Sequence, residues 1–289
     1  MTRTIVCGVD RSDAADAVVR VARWLAERLG SSLVLAHVVE EPMQEANDFL
    51  ASFGASRGGA PEEARLLEGS PAARLMETVS GGEVDLLVVG SRGRNTIRSS
   101  ILGSVSRSLA TNAPCPVVIV PESAGDPDED RSPEESIVCG VDGSEHAVAA
   151  ARVAGDLAQR MECRLVVVLA LPGVKDFVSY PGARLTTPSL SAQPDARIRQ
   201  AEEIVEAAVA AAASETATGV VESGSPWDVL ESVADRETGQ LLAVAARGQG
   251  ALKAALLGSV AARLAASARR PLLVLSEAAE EAIRDRSSA

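Results

Sequence analysis

The stretch GSRGRNTIRSSILGS, residues 90–104, holds three glycines, three arginines, five hydroxyl side chains and no acid. Glycines at 90, 93 and 103 let backbone N–H groups close on an anion with no side chain in the way. Gly103 and Ser104 open a helical pattern, and a helix N-terminus offers unbonded N–H groups and a positive partial charge. Arg92, Arg94 and Arg98 add full charges. Ser104 can cap the helix or donate its hydroxyl to a phosphate. Together these residues suit a polyphosphate cradle. Neither familiar short motif is present: there is no GxxxxGK[ST], and no GxGxxG follows the first strand. A glycine-rich turn before a capped helix would use the same residues.

A cradle of this kind needs a strand to end at Gly90 and a helix to start near Ser104. The run VDLLVV before Gly90 reads as a buried strand, and the pattern from Val105 to Leu109 reads as a helix. Upstream, Thr4–Val9 and Leu33–Val39 are apolar strands flanking an amphipathic helix over Ala14–Leu29. A weaker helix signal lies near 43–53. Ala64–Glu68 is a third strand, Pro71 opens a helix with Ser70 at its N-cap, and Pro116–Val120 is a fifth strand. Alternating strands and helices with apolar strands predict a parallel sheet covered on both faces, doubly wound by right-handed crossovers. Ligands bind such sheets beyond the carboxyl ends of the strands, where strand order reverses. Asp10, His37–Val38 and Gly90 all end strands there.

The chain writes this unit twice. IVCGVD occurs at 5–10 and again at 137–142, and ILGSV at 101–105 matches LLGSV at 256–260. The offset grows between these pairs, so the second copy carries an insertion. That insertion includes 171–194, rich in proline, for which a lid, a partner surface and plain disorder all remain open, and then an alanine-rich helix over 196–214. The expected boundaries are 1–121 for the first domain, 122–136 for a linker, 137–276 for the second domain and 277–289 for a tail.

Charge and composition narrow the function. The net charge is -12, and segment 122–136 alone carries seven acids and one base, the mark of a solvated linker. Residues 86–121 hold no acid, so a local anion site fits an acidic protein. Acidity and an aromatic content of 2% speak against nucleic acid as a partner. No apolar run is long enough to span a membrane, and no secretory signal is visible, so the cytoplasm is the expected location. Cys7 and Cys139 lie inside apolar strands as reduced core residues, and no cysteine spacing predicts a metal site. His37 and His146 have no partner base or nucleophile in the sequence, which argues against a hydrolase triad. Trp24 and Trp227 read as packing residues.

The spacing Gly90-x2-Gly93-x9-Gly103-Ser104, with VDLLVVGSRGR, LGSVS, APCPVVIVP and IVCGVDRS in order around it, resembles the ATP-binding branch of the universal stress protein family. Nearly the whole chain shares that resemblance, so it looks like a tandem member. The resemblance implies two flavodoxin-like α/β domains with five-stranded parallel sheets, the fifth strands (116–120 and 271–275) pairing with each other. It implies ATP as cofactor with Mg²⁺, a protein partner not identifiable from sequence, and a possible homodimer of the tandem chain. In the first copy it assigns Gly8 and Asp10 to the nucleotide, Asp10 on the adenosine part. Val38 offers its backbone to the adenine edge. Gly90, Ser91, Arg92, Gly93, Arg94, Asn95 and Thr96 wrap the phosphates, and Gly103, Ser104 and Val105 close the site.

The second copy departs from this pattern. Its loop, AARGQGALKAALLGS, keeps Arg247, Gly248, Gly258, Ser259 and Val260, adds Gln249 and Gly250, and retains Gly140 and Asp142, with Ala170 at the adenine-edge position. Ala245 replaces the first glycine. If position 245 has φ > 0 the alanine is strained; if not, the cost is small. The function expected is that of an ATP-binding stress-response regulator, a switch or sensor more than a turnover enzyme. Slow ATP hydrolysis or phosphotransfer is the enzymatic alternative, and a nucleotide-free interaction module is the third.

Overall fold

A computed structural model of the chain describes residues 3–39, 62–81, 84–93, 102–125, 134–171, 194–248 and 256–287. The expected helix near 43–53 and most of the 171–194 insertion lie outside these residues. So do Arg94, Asn95, Thr96, Gln249 and Gly250. The chain forms two compact units: Met1–Arg131 with Ala265–Ala289, and Ser132–Leu264.

In the first unit the chain runs β1 (Thr4–Val9), α1 (Ala15–Leu29), β2 (Ser32–Val39), β3 (Glu62–Glu68), α2 (Pro71–Val79), β4 (Val84–Gly90), α3 (Ser104–Asn112) and β5 (Val117–Val120). The strands stand in the order β3-β2-β1-β4-β5, all parallel. The order reverses between β1 and β4, so a crevice opens beyond Val9 and Gly90. Val and Leu dominate β1, β2, β4 and β5 because both sheet faces are covered; Ile5, Cys7, Leu87, Val88 and Ile119 are fully buried. Helix α1 buries Val18, Ala22, Trp24 and Leu25 on the sheet, and Trp24 is a packing residue. It ends at Gly30, whose φ of 61° lets its own amide and that of Ser31 turn back onto the Glu27 and Ala26 carbonyls.

This unit also receives the end of the chain. Strand β10 (Leu272–Leu275) runs antiparallel beside β5, pairing Leu272 with Ile119, Leu273 with Val118 and Val274 with Val117. Val118 and Leu273 are equivalent positions of the two copies, so the pairing has the register of a local two-fold. The fifth strands therefore pair with each other, as the resemblance implies. Residues 277–287 form a helix, α8 (Glu277–Ser287), which packs on α3. Ser276 fixes its start: the hydroxyl donates to the Ala113 carbonyl at 2.6 Å and accepts from the Ala279 amide at 3.0 Å.

The second unit runs β6 (Ser136–Gly140), α4 (Glu145–Arg160), β7 (Arg164–Leu171), α5 (Pro194–Ala212), β8 (Ala217–Ser223), α6 (Pro226–Arg236) and β9 (Gly239–Ala245), followed by α7 (Ser259–Ser267), which crosses into the C-terminal piece. Its strands stand in the order β9-β6-β7-β8, all parallel, reversing between β6 and β9. Helix α5 buries Ala201, Val205, Ala208 and Ala212. It presses so close to α4 that any side chain at Gly155 would collide with the Ala212 carbonyl. Trp227 lies in α6 with the Arg263 guanidinium 4.3 Å above its ring.

All four cysteines are buried and none is in a disulfide, and burial pushes the thiols of Cys115 and Cys139 up to about 12. Among the described residues, no helix is long and apolar enough to cross a membrane.

Candidate functional site

The crevice between β1 and β4 brings together residues that are far apart in sequence. Asp10 follows β1 in a tight turn, where its Oδ1 accepts the Ser12 amide at 3.1 Å. Its other oxygen faces the loop after β4. A methyl group built on Gly93 would stand 2.8 Å from Asp10 Oδ2. Glycine at 93 thus keeps the space beside a carboxylate and supplies no positive φ.

Gly90 ends β4. A side chain on it would stand 3.2 Å from Val18 Cγ2 and 3.3 Å from the Arg92 carbonyl. The following turn is held from both ends. The Ser91 amide donates to Val120 O at 2.8 Å, and the Gly103 amide donates to Ser91 O at 2.9 Å. Ser106, on the first turn of α3, donates its hydroxyl to Gly90 O at 2.6 Å. A side chain on Gly103 would stand 3.2 Å from Ser91 O, so this glycine too lets two backbones meet.

Gly103 is the N-cap of α3, with no side-chain cap, and Ser104 is the first helical residue and exposed. Ser104 therefore does not cap the helix. The first-turn amides keep no intrahelical acceptor and stay available to an anion. Arg92 is mostly buried, and its Nη1 donates to Glu122 Oε2 at 2.9 Å.

Gly8 serves a different purpose. A side chain there would stand 2.9 Å from Leu75 Cδ1, so the glycine lets α2 approach the sheet. Gly140 repeats this against Leu230 of α6, also at 2.9 Å. Val38 is half-buried near the end of β2. Beside it, His37 is buried with Nδ1 2.8 Å from Val9 O; opposite a carbonyl, that nitrogen must carry the proton and donate.

The second unit repeats the central contact. Asp142 Oδ1 accepts the Ser144 amide at 3.0 Å and the Ser144 hydroxyl at 2.6 Å. Any side chain on Gly248 would overlap Asp142 Oδ2. The Gly258 amide donates to Ala246 O at 2.7 Å, as Gly103 does to Ser91 O, and Ser259 opens α7 with Val260 half-buried beside it. Among the described residues the non-glycines with positive φ are Glu162, Ala213 and Thr238, so Ala245 is unstrained. Ala150 stands where the first copy has Val18, which leaves room for the Ala245 methyl. Ala246 and Ala261 replace Ser91 and Ser106, so the second cradle lacks the hydroxyl bond to the strand-end carbonyl. Ala170 is half-buried near the end of β7.

Sequence reasoning passed over Ser12, Ser144, Val18, Ser106 and Glu122. The first two had a signal, since Asp-x-Ser occurs after the first strand of both copies and is an Asx-turn pattern. The others are defined only by tertiary contact. Among the described residues, no group of three or more His, Cys, Asp or Glu converges to hold a metal ion.

A doubly wound α/β protein with two repeats, each with a glycine–aspartate contact at its switch point, is the class defined by fold and site. The Universal stress protein family model matches residues 1–52, 41–121 and 134–276. The chain belongs to the universal stress protein family. Universal stress protein Rv2623 of Mycobacterium tuberculosis is 30% identical over 299 residues, covering 94% of this chain and 96% of the relative. A universal stress protein of Thermus aquaticus is 33% identical over 136 residues, covering 42% of this chain and 99% of the relative. Among solved structures, a universal stress protein from Archaeoglobus fulgidus superposes with a TM-score of 0.60 at 17% identity, covering 94% of this chain and 98% of its own; that likeness speaks to fold.

Proposed function

We propose that each unit binds an adenine nucleotide, ATP in the first instance, and that the chain is a nucleotide-dependent regulator. The observation that carries this reading is the contact of Asp10 Oδ2 with Gly93 at the switch point. It sets a carboxylate for a ribose hydroxyl beside glycine-lined backbone and the uncapped N-terminus of α3. A carboxylate at the sugar and free amides at the phosphates is the charge distribution a nucleotide needs. Residues 90–93 and 103–105 hold the phosphate side, and the Val38 backbone faces the base. Mg²⁺ would arrive on the phosphate oxygens with water and at most one carboxylate.

Turnover would need a group that positions water on the γ-phosphate. Among the described residues the carboxylates at this crevice are Asp10, whose Oδ1 already accepts the Ser12 amide, and Glu122, whose Oε2 already accepts from Arg92. That favours binding and release over hydrolysis. The repeat of the Asp–Gly contact at Asp142 and Gly248, with no strain at Ala245, favours a second site of the same kind.

Titration calorimetry with ATP tests the reading. One nucleotide per unit is expected. Gly93→Ala, which drives a methyl into Asp10, should weaken the first site by about tenfold or more, roughly the cost of one lost charge-assisted hydrogen bond. No ATP binding by the wild-type chain, or wild-type binding by Gly93→Ala, overturns it.

A further inference from the structure

Arg92 lies in the middle of the cradle turn, in a stretch of 36 residues, 86–121, without an acid. Its neutralising partner comes from outside that stretch. Glu122, the second residue past β5 and the first of the acidic segment, accepts a single hydrogen bond from Arg92 Nη1 at 2.9 Å. The two ends of this pair are unlike. The arginine side chain is 15% exposed and the glutamate side chain 55% exposed. Arg92 Nε is buried with no acceptor among the described residues. A guanidinium has five N–H donors in a rigid fork, and this one is held by one contact to an exposed carboxylate while a second donor stays unsatisfied. Such a pair is weak, because the exposed partner returns to water at little cost. A phosphate offering two oxygens to the same fork is the stronger partner.

The residues after Glu122 are tethered. Ser123 donates its hydroxyl to Ala268 O at 2.6 Å, and the Gly125 amide donates to Arg269 O at 3.2 Å. Glu122 is therefore presented to Arg92 from a fixed backbone. The sequence repeats the arrangement at the same offset: Arg247 corresponds to Arg92, and Glu277 to Glu122.

We propose that Glu122 is a built-in competitor for the phosphate side of the first cradle. It holds Arg92 when no polyanion is present and surrenders it when one binds. This rests on the nucleotide-binding reading and adds to it a residue that sets the threshold for occupancy. Polyphosphate binding and the Arg92–Glu122 pair are then mutually exclusive, so each weakens the other by the same factor.

The test is calorimetry of full-length wild type, Glu122→Gln, Arg92→Gln and the double variant with ATP, adenosine and inorganic tripolyphosphate. Glu122→Gln should tighten ATP and tripolyphosphate by about fivefold, the scale of a weak ion pair, and leave adenosine unchanged. Arg92→Gln should weaken ATP and abolish the gain from Glu122→Gln in the double variant. Equal affinities of wild type and Glu122→Gln for ATP overturn the competitor while the nucleotide reading stands. So does an equal shift for adenosine, which marks a structural disturbance. Failure of wild type and Glu122→Gln alike to bind any of the three ligands overturns both. Glu122 is exposed, so its substitution leaves the core intact; Glu122→Asp, with a shorter reach, should fall between wild type and Glu122→Gln.

Discussion

The two cradles share a backbone and differ in how it is filled. In the first, Gly90 faces the bulk of Val18, and a methyl at 90 would come within 3.2 Å of it. In the second, Ala245 and Ala150 occupy the equivalent positions, each side giving or taking a small volume. The first has two serines, Ser91 and Ser106; the second has alanines at both. Ser106 bonds the Gly90 carbonyl, so its loss in the second copy removes a hydrogen bond. Ser91 Oγ is buried without a partner among the described residues, so a methyl at Ala246 relieves a cost. The aspartate turns differ too: Asp10 Oδ1 accepts the Ser12 amide, whereas Asp142 Oδ1 accepts both the amide and the hydroxyl of Ser144. A glycine missing from a motif is therefore poor ground for dismissing a site. Its meaning depends on whether the glycine supplied a dihedral angle or a space, and here it supplied space.

The largest expected effect tests that size exchange. Gly90→Ala should destabilise the first unit by about 1–3 kcal/mol through overpacking against Val18. In a Val18→Ala background the same substitution should cost close to nothing. Ala150→Val should impose a similar penalty on the second unit, because it restores the valine opposite an alanine. Urea unfolding, followed by a probe specific to each unit, gives the cycle. If Gly90→Ala and Val18→Ala add within about 0.5 kcal/mol, the two side chains do not compete for one volume and the account is wrong.

Much of this comparison is legible in the amino-acid sequence. Val, Ile and Leu runs bounded by glycine, proline and charges mark the strands, because strands buried on both faces are apolar throughout. The glycine spacing marks Gly90, Gly93 and Gly103 as one set at the end of β4. Other features depend on contacts that spacing does not encode. Nothing in the sequence says that Gly93 meets Asp10, since 82 residues separate them. Gly8 looks like a ligand-facing glycine in a motif, but its missing side chain faces Leu75. The Glu122 partnership hides inside an acidic segment whose composition signals only solvation. Residues 277–287, polar and short, read as a tail; their helix depends on the Ser276 cap and on the surface of α3.

The second effect concerns how each aspartate turn leads into its helix. Ser144 caps α4, accepting from the Ala147 amide at 3.2 Å while donating to Asp142. Ser12 has no such duty, since the N-cap of α1 is Ala14 and makes no side-chain cap. Ser144→Ala should cost about 1 kcal/mol, the usual loss for a helix cap, and should loosen Asp142. Ser12→Ala should leave stability near wild type. A drop in nucleotide affinity confined to the second unit in Ser144→Ala would tie the cap to the site. Equal effects of the two serine substitutions would erase this difference between the copies.

The smallest effect concerns the far end of the same two helices. Gly30 closes α1 at φ 61°, and the equivalent residue after α4, Glu162, sits at φ 53°. The backbone is the same, but a side chain in that region costs about 1–2 kcal/mol. Glycine gives back part of any gain, about 0.5–1 kcal/mol, through the freedom it regains on unfolding. Glu162→Gly should therefore stabilise the second unit by about 0.5–1 kcal/mol net, and Gly30→Ala should destabilise the first by a similar amount. Both positions lie at the end of the sheet opposite the crevice, where Ser31 and Cys163 enter the next strand. Nucleotide affinity should be untouched in both variants, so a stability change with unaltered affinity is the expected pair of readings. A Glu162→Gly protein no more stable than wild type would mean that the glutamate side chain makes up its backbone cost with contacts of its own.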